Sequence, residues 1–178
     1  CFSFNVLALQ GAIIGMVAHG LTSAGLFFVA GMIQSRYSTR QLTKLGGLAT
    51  QTPVLAGLAM ILVIATLGMP SLGNFVGEFL VLLGSFEHYP VFSVIAAAGL
   101  ILSACYCLLI IHRCFWGRAT LDREGASIND LDLREKSALS MLIIALFVIG
   151  LQPQSVLSLT AGISERLLTP FEQYVWQR

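Results

Sequence analysis

The chain has 178 residues, of which 56% are hydrophobic and 11% charged, and its formal net charge is +1. Soluble domains carry about 25% charged residues, so this chain has too few ions to cover a water-facing surface, which excludes the soluble globular and disordered classes. No Lys/Arg cluster is dense enough to track a phosphate backbone. These exclusions leave an all-α integral membrane protein.

The first residue is Cys1, and a non-polar segment follows almost at once. No charged n-region, apolar h-region and cleavage site stand at the front. A lipid-modified Cys is normally followed by small polar residues, and Phe2 is neither. The start therefore reads as the continuation of a longer chain. No Lys, Arg, Asp or Glu occurs from Cys1 to Ser35. Within that stretch residues 11–34 make the first predicted span, roughly 36 Å of helix against a bilayer core of about 30 Å. A basic loop with Arg36, Arg40 and Lys44 follows, punctuated by Gly46 and Gly47.

Pro53 fits the first turn of the second span, where its missing N–H costs nothing. The apolar run then continues to Phe86, too long for one simple span, and contains Gly68-Met69-Pro70-Ser71-Leu72-Gly73-Asn74. Pro70 removes a backbone hydrogen bond, and the flanking glycines weaken the helix further. The expectation is one span, 53–86, broken at Gly68–Asn74 into half-helices of about 53–69 and 73–86. Unpaired backbone at membrane depth must be covered by protein or line a polar cavity.

The third span is expected at 90–112. The polar loop 113–136 carries five basic and five acidic residues. In it Asp132 and Glu135 have the spacing of an N-cap and its capping-box partner. The fourth span, 137–168, has its core at 137–151, and Pro153 kinks or restarts it. Phe171, Tyr174 and Trp176 are suited to an interfacial aromatic anchor. The expected architecture is thus four transmembrane helices in one unit, residues 1–178. The loops after the first and third spans carry eight Lys/Arg, against two (Arg166 and Arg178) elsewhere. The positive-inside rule puts these two loops on the cytoplasmic (or matrix) side, with Glu87 and the C-terminus opposite.

Two side chains within the predicted spans titrate near the physiological range, His19 and Glu78. An ionisable group at membrane depth costs several kcal/mol and is a functional candidate by default. Glu78 lies four residues after Asn74, on the same helical face and near the start of a half-helix. The helix dipole favours the carboxylate and desolvation the acid, as a reversible proton carrier requires. The alternative is a carboxylate snorkelling to the surface, against which residues 79–86 stay apolar. His19 has two readings, a proton relay or a structural histidine bonded to a carbonyl. Thr22 and Ser23 share its face and suit holding a water or orienting the imidazole. Cys1, Cys105, Cys107 and Cys114 fit no zinc or iron–sulfur spacing and read as thiols packed among apolar neighbours. No metal-ligand, P-loop, dinucleotide-binding or Ser-His-Asp pattern occurs, so neither a metal nor a cofactor site is expected in this chain.

The run Met16-Val17-Ala18-His19-Gly20-Leu21-Thr22-Ser23-Ala24-Gly25-Leu26-Phe27 resembles the antiporter-like subunits of respiratory complex I. So does the run from Leu67 to Phe79, with Gly46-Gly47-Leu48 at the matching place between them. The acid at Glu78 favours the M type (mitochondrial subunit 4 type), since the sister L and N types commonly place a lysine there. The resemblance is specific over the first 85 residues and weaker beyond. It implies the last four of fourteen spans, with the second as the broken helix of an inverted repeat. It also implies that His19 belongs to a central hydrophilic axis and Glu78 to the output half-channel, with Thr22, Ser23, Pro70 and Asn74 in support. The implied activity is proton translocation coupled to quinone reduction in a bacterial inner membrane. NADH, FMN, iron–sulfur clusters and quinone would be held by partner subunits, and the neighbouring antiporter-like subunits would be direct partners. The competing readings are a cation/proton antiporter or membrane-hydrogenase subunit of the same superfamily, and a membrane scaffold that transports nothing.

Overall fold

The computed structural model describes residues 5–118 and 128–162, and all described regular structure is helical. The order is α1 (Val6–Tyr37), α2 (Leu48–Gln51), α3 (Pro53–Thr66), α4 (Gly73–Phe86), α5 (Pro90–Ile111), a π-helical turn (His112–Trp116) and α6 (Leu133–Leu151). A further helix, α7 (Gln154–Gly162), is bent 71° from α6. Among the described residues two helices, α1 and α5 with its π-turn, are long and apolar enough to cross a membrane, and α6 with α7 makes a third if the bent pair is one span. The helices α3 and α4 are shorter and apolar.

The first helix exceeds its predicted bounds of 11–34 at both ends. The Asn5 side chain caps it by accepting from the backbone N–H of Leu7 and Ala8, which satisfies two of the orphan donors of a helix start. At the other end Ser38 adopts left-handed geometry (φ 55°), and its N–H donates to the Gln34 carbonyl. Gly11 is no boundary. It is a point of contact, since a Cβ there would lie 2.7 Å from both Leu80 Cβ and Val81 N. Gly77 likewise faces Gly15, and Gly84 faces Ala8. Small residues thus let α1 and α4 approach backbone to backbone, the usual way apolar helices associate in lipid.

The chain leaves helix after Thr66 and resumes at Gly73. The exit is a Schellman motif. Gly68 is left-handed (φ 68°), its N–H donates to the Ala65 carbonyl, and the Met69 N–H donates to the Ile64 carbonyl. These are the 5→2 and 6→1 bonds that close such an end, and a proline soon after is common. Ser71 is also at positive φ, 81°. Its carbonyl packs so closely on Gly150 of α6 that a Cβ there would overlap it.

The expected capping box at α6 is present, and the helix starts at Leu133, four residues before the expected core. The loop 36–52 contains one unexpected turn of helix, α2, entered through left-handed Gly47. Of the thiols, Cys107 and Cys114 are buried as expected, whereas Cys105 is exposed, because it lies on the outward face of α5. The proposed aromatic anchor (Phe171, Tyr174, Trp176), Cys1 and residues 163–168 lie outside the described residues.

The segments around both basic loops meet at one end of the bundle. Arg36, at the end of α1, donates to the Asn129 and Asp130 carbonyls and forms a two-pronged ion pair with Glu135. The Asp130 carboxylate accepts from the backbone N–H of Val54, Leu55 and Leu131. It thereby caps α3, whose own N-cap, Thr52, makes no such bond. At the other end of α1, Asn5 Nδ2 donates to Glu87 Oε2 over 3.0 Å.

Candidate functional site

The α1–α4 seam brings the candidate residues of both helices to a common level. Gly15 touches Gly77, and a Cβ at Gly73 would lie 3.1 Å from Ala18 Cβ. His19 and Thr22 therefore flank the contact on α1, and Asn74 and Glu78 flank it on α4. Thr22 is 1% exposed and Asn74 5%. The Thr22 hydroxyl lies 3.2 Å from the Ala18 carbonyl oxygen and 3.0 Å from that of His19. Asn74 Nδ2 donates to Thr22 Oγ1 over 3.4 Å. Asn74 Oδ1 is buried and has no hydrogen-bond partner among the described residues.

Glu78 is half-buried. Its carboxylate lies over Gly68, where any Cβ would strike Oε2. Gly68 is thus required twice, for its left-handed backbone and for the space it leaves to Glu78. Pro70 sits in the turn between the half-helices and is exposed.

His19 lies on the exposed side of α1 in this chain, because Ala18 and Thr22 take the buried positions. Its backbone carbonyl, not its imidazole, joins the Thr22–Asn74 pair. Ser23 is partly buried beside it. The structure thus groups Thr22 with Asn74 and Glu78 with Gly68, and it leaves the His19 ring outside both groups. Sequence reasoning treated Gly68 only as a helix breaker. Its role as the floor under Glu78 has no local signature, because the two residues meet only once the break has folded.

The helices and this half-buried carboxylate define a polytopic membrane protein with an ionisable group on an interrupted apolar segment. Residues 1–104 match the family described as NADH:quinone oxidoreductase/Mrp antiporter, TM, and the chain belongs to that family. It is 41% identical over 156 residues to NADH-quinone oxidoreductase subunit M of Escherichia coli, covering 88% of this chain and 31% of that protein. The subunit M of Pseudomonas aeruginosa is also 41% identical, over 161 residues, covering 90% of this chain and 31% of that protein. The chain thus spans about a third of the length of the curated relatives it matches. Among solved structures, a chain of respiratory complex I from Thermus thermophilus with bound NADH superposes with a TM-score of 0.86 at 31% identity, covering 94% of this chain and 35% of that one. A chain of the Mrp complex from a Dietzia species gives 0.76 at 19% identity, covering 94% and 39%, a likeness of fold alone.

Proposed function

We propose that the chain is the distal part of a proton-translocating subunit M of NADH:quinone oxidoreductase, with Glu78 as its proton-carrying group. The observation that carries this reading is the half-buried Glu78 carboxylate, set against the Gly68 break on an apolar helix. A carboxylate that only needed solvation would sit at a helix end, since ionisable groups are costly at membrane depth. One that must load and unload a proton belongs beside interrupted backbone, which is tolerated there only next to protein or a polar cavity.

In this reading α3 and α4 form one broken span, and α6 with α7 another, giving four spans with α1 and α5. His19 acts as an intermediate relay, because imidazole titrates near neutrality. Its exposed ring is covered by the remainder of the subunit, and Thr22 and Ser23 hold the local geometry. The basic loops face the cytoplasm of a bacterial inner membrane. Electrons pass from NADH to quinone through flavin and iron–sulfur centres of partner subunits. The neighbouring antiporter-like subunits pack against this one.

The experiment is Glu78→Gln in the full-length subunit within its complex. The amide keeps size and hydrogen bonding but cannot titrate. Proton pumping should fall by about a hundredfold or more, the scale of losing a positioned proton-transfer group, and quinone reductase activity should fall with it. Glu78→Asp should be milder, and His19→Ala milder than Glu78→Gln. Wild-type pumping by an assembled Glu78→Gln complex would refute the reading in favour of a scaffold. Co-purification without flavin and iron–sulfur subunits would favour an antiporter.

A further inference from the structure

We propose that Asn74 is a positioning residue that fixes one ordered water at the head of α4, one helical turn from Glu78. The inference rests on Glu78 being the proton carrier and adds the group that places its nearest relay water.

The orientation of the Asn74 amide follows from its neighbour. Thr22 has a single hydroxyl proton, and it is directed at the Ala18 and His19 carbonyls. Thr22 Oγ1 can therefore only accept from Asn74, so Nδ2 faces Thr22 and Oδ1 faces away. A flipped amide would set acceptor against acceptor. That leaves a buried carbonyl oxygen with no donor among the described residues, in a residue 5% exposed. Buried polar atoms almost always have partners, and an exception calls for one.

The surroundings select the partner. Oδ1 is an acceptor and disfavours an anion. Asn74 is also the second residue of α4, whose start carries no side-chain cap, and the partial positive charge of free N–H groups disfavours a cation. Water meets both demands, since its oxygen accepts from N–H and its hydrogen donates to Oδ1. Glu78 lies at i+4 from Asn74, on the same face of α4. A water fixed at Asn74 thus stands one turn from Glu78 and can relay a proton to it, giving up one hydrogen to the carboxylate as its oxygen takes another from the next water of the solvent path, while Thr22 holds the Asn74 amide in place from α1.

The test has two arms in the intact complex with the full-length subunit. A high-resolution experimental map should show a water within hydrogen-bond distance of Asn74 Oδ1. A protein donor at that oxygen, or no density there, overturns the proposal. Asn74→Leu, of similar size without an acceptor, should lower pumping about three- to tenfold, the scale of one lost hydrogen bond. Asn74→Ser, with a hydroxyl and room for a second water, should restore part of the loss, which a purely packing role would not. Wild-type pumping by an assembled Asn74→Leu complex overturns the proposal even if Glu78→Gln is inactive. If Glu78→Gln pumps normally, the underlying function fails instead. Should Asn74→Leu not assemble, the map and the Asn74→Ser pumping rate decide.

Discussion

Asp130 shows how one side chain can hold a membrane helix from a distance. Pro53 opens α3, but the free N–H groups of Val54 and Leu55 have no local cap, and Asp130 reaches them from 76 and 75 residues away. Burial alone would raise its carboxyl pKa. The backbone donors of Val54, Leu131 and Leu55, with the Lys136 charge, outweigh burial and hold it below the ordinary value of 3.8. The stabilisation is therefore fully present above 3.8 and is lost as pH falls through the lower, folded-state value. Asp130→Ala should destabilise the full-length subunit by about 1 kcal/mol at neutral pH, the usual worth of an N-cap. A denaturation series in lipid nanodiscs checks this, and the gap between wild type and D130A should close under strong acid. A gap that persists unchanged in acid would mean that the carboxylate charge plays no part. No pattern in the sequence pairs Asp130 with Val54, because the bond crosses the fold. The Asp132–Glu135 box was legible for the opposite reason, since its partners are three residues apart and their chemistry is local.

At the scale of elements, the most extensive packing among the described helices is between α1 and α4, and glycine makes it possible. The Gly11-x-x-x-Gly15 and Gly73-x-x-x-Gly77 spacings put small residues on one face of each helix, one turn apart. Bilayer tails are as apolar as leucine, so burial of apolar surface does little to join helices there and close packing must supply the attraction. Gly77→Leu would drive a branched side chain into Gly15, whose Cα already lies 2.6 Å from where a Gly77 Cβ would stand. We expect a loss of about 1–3 kcal/mol from overpacking, read as reduced assembly or a lower unfolding midpoint of the subunit. Gly57→Ala on α3 is the control, since a Cβ there meets nothing within 4 Å. An unchanged midpoint for Gly77→Leu would show that the seam does not hold the pair together. The apolar runs and Pro70 made the helical content and the interruption at 67–72 legible in the sequence. Which glycines break helices and which join them was not, because a glycine serves both ends with the same composition, and only the neighbouring helix tells them apart.

For the molecule as a whole, the distribution of apolar surface and of charge sets a single arrangement. The outer side of α5 exposes Phe92 (72%), Ile101 (67%) and Leu102 (69%), a surface that water would not tolerate in a row and a bilayer would. Among the described residues the contacts of charged side chains gather instead at the two ends. Arg36, Asp130 and Glu135 tie the segments around the basic loops at one end, and Asn5 and Glu87 meet at the other. All seven Lys/Arg among the described residues belong to the segments around the basic loops. The positive-inside rule orients a protein by the Lys/Arg of its short loops, so that end should face the cytoplasm. Single cysteines placed at Thr43 and Asn129, both exposed, should react with a membrane-impermeant maleimide in inverted vesicles and resist it in right-side-out cells. A cysteine at Glu87, also exposed, should do the reverse. The background should carry Cys105→Ser, because that native thiol is exposed. Reaction of Thr43→Cys and Asn129→Cys from opposite sides would break the shared end that Arg36 and Asp130 build. Reaction of all three from one side would mean that the Gly68 turn sends α4 back the way α3 came, as a re-entrant loop instead of a broken span.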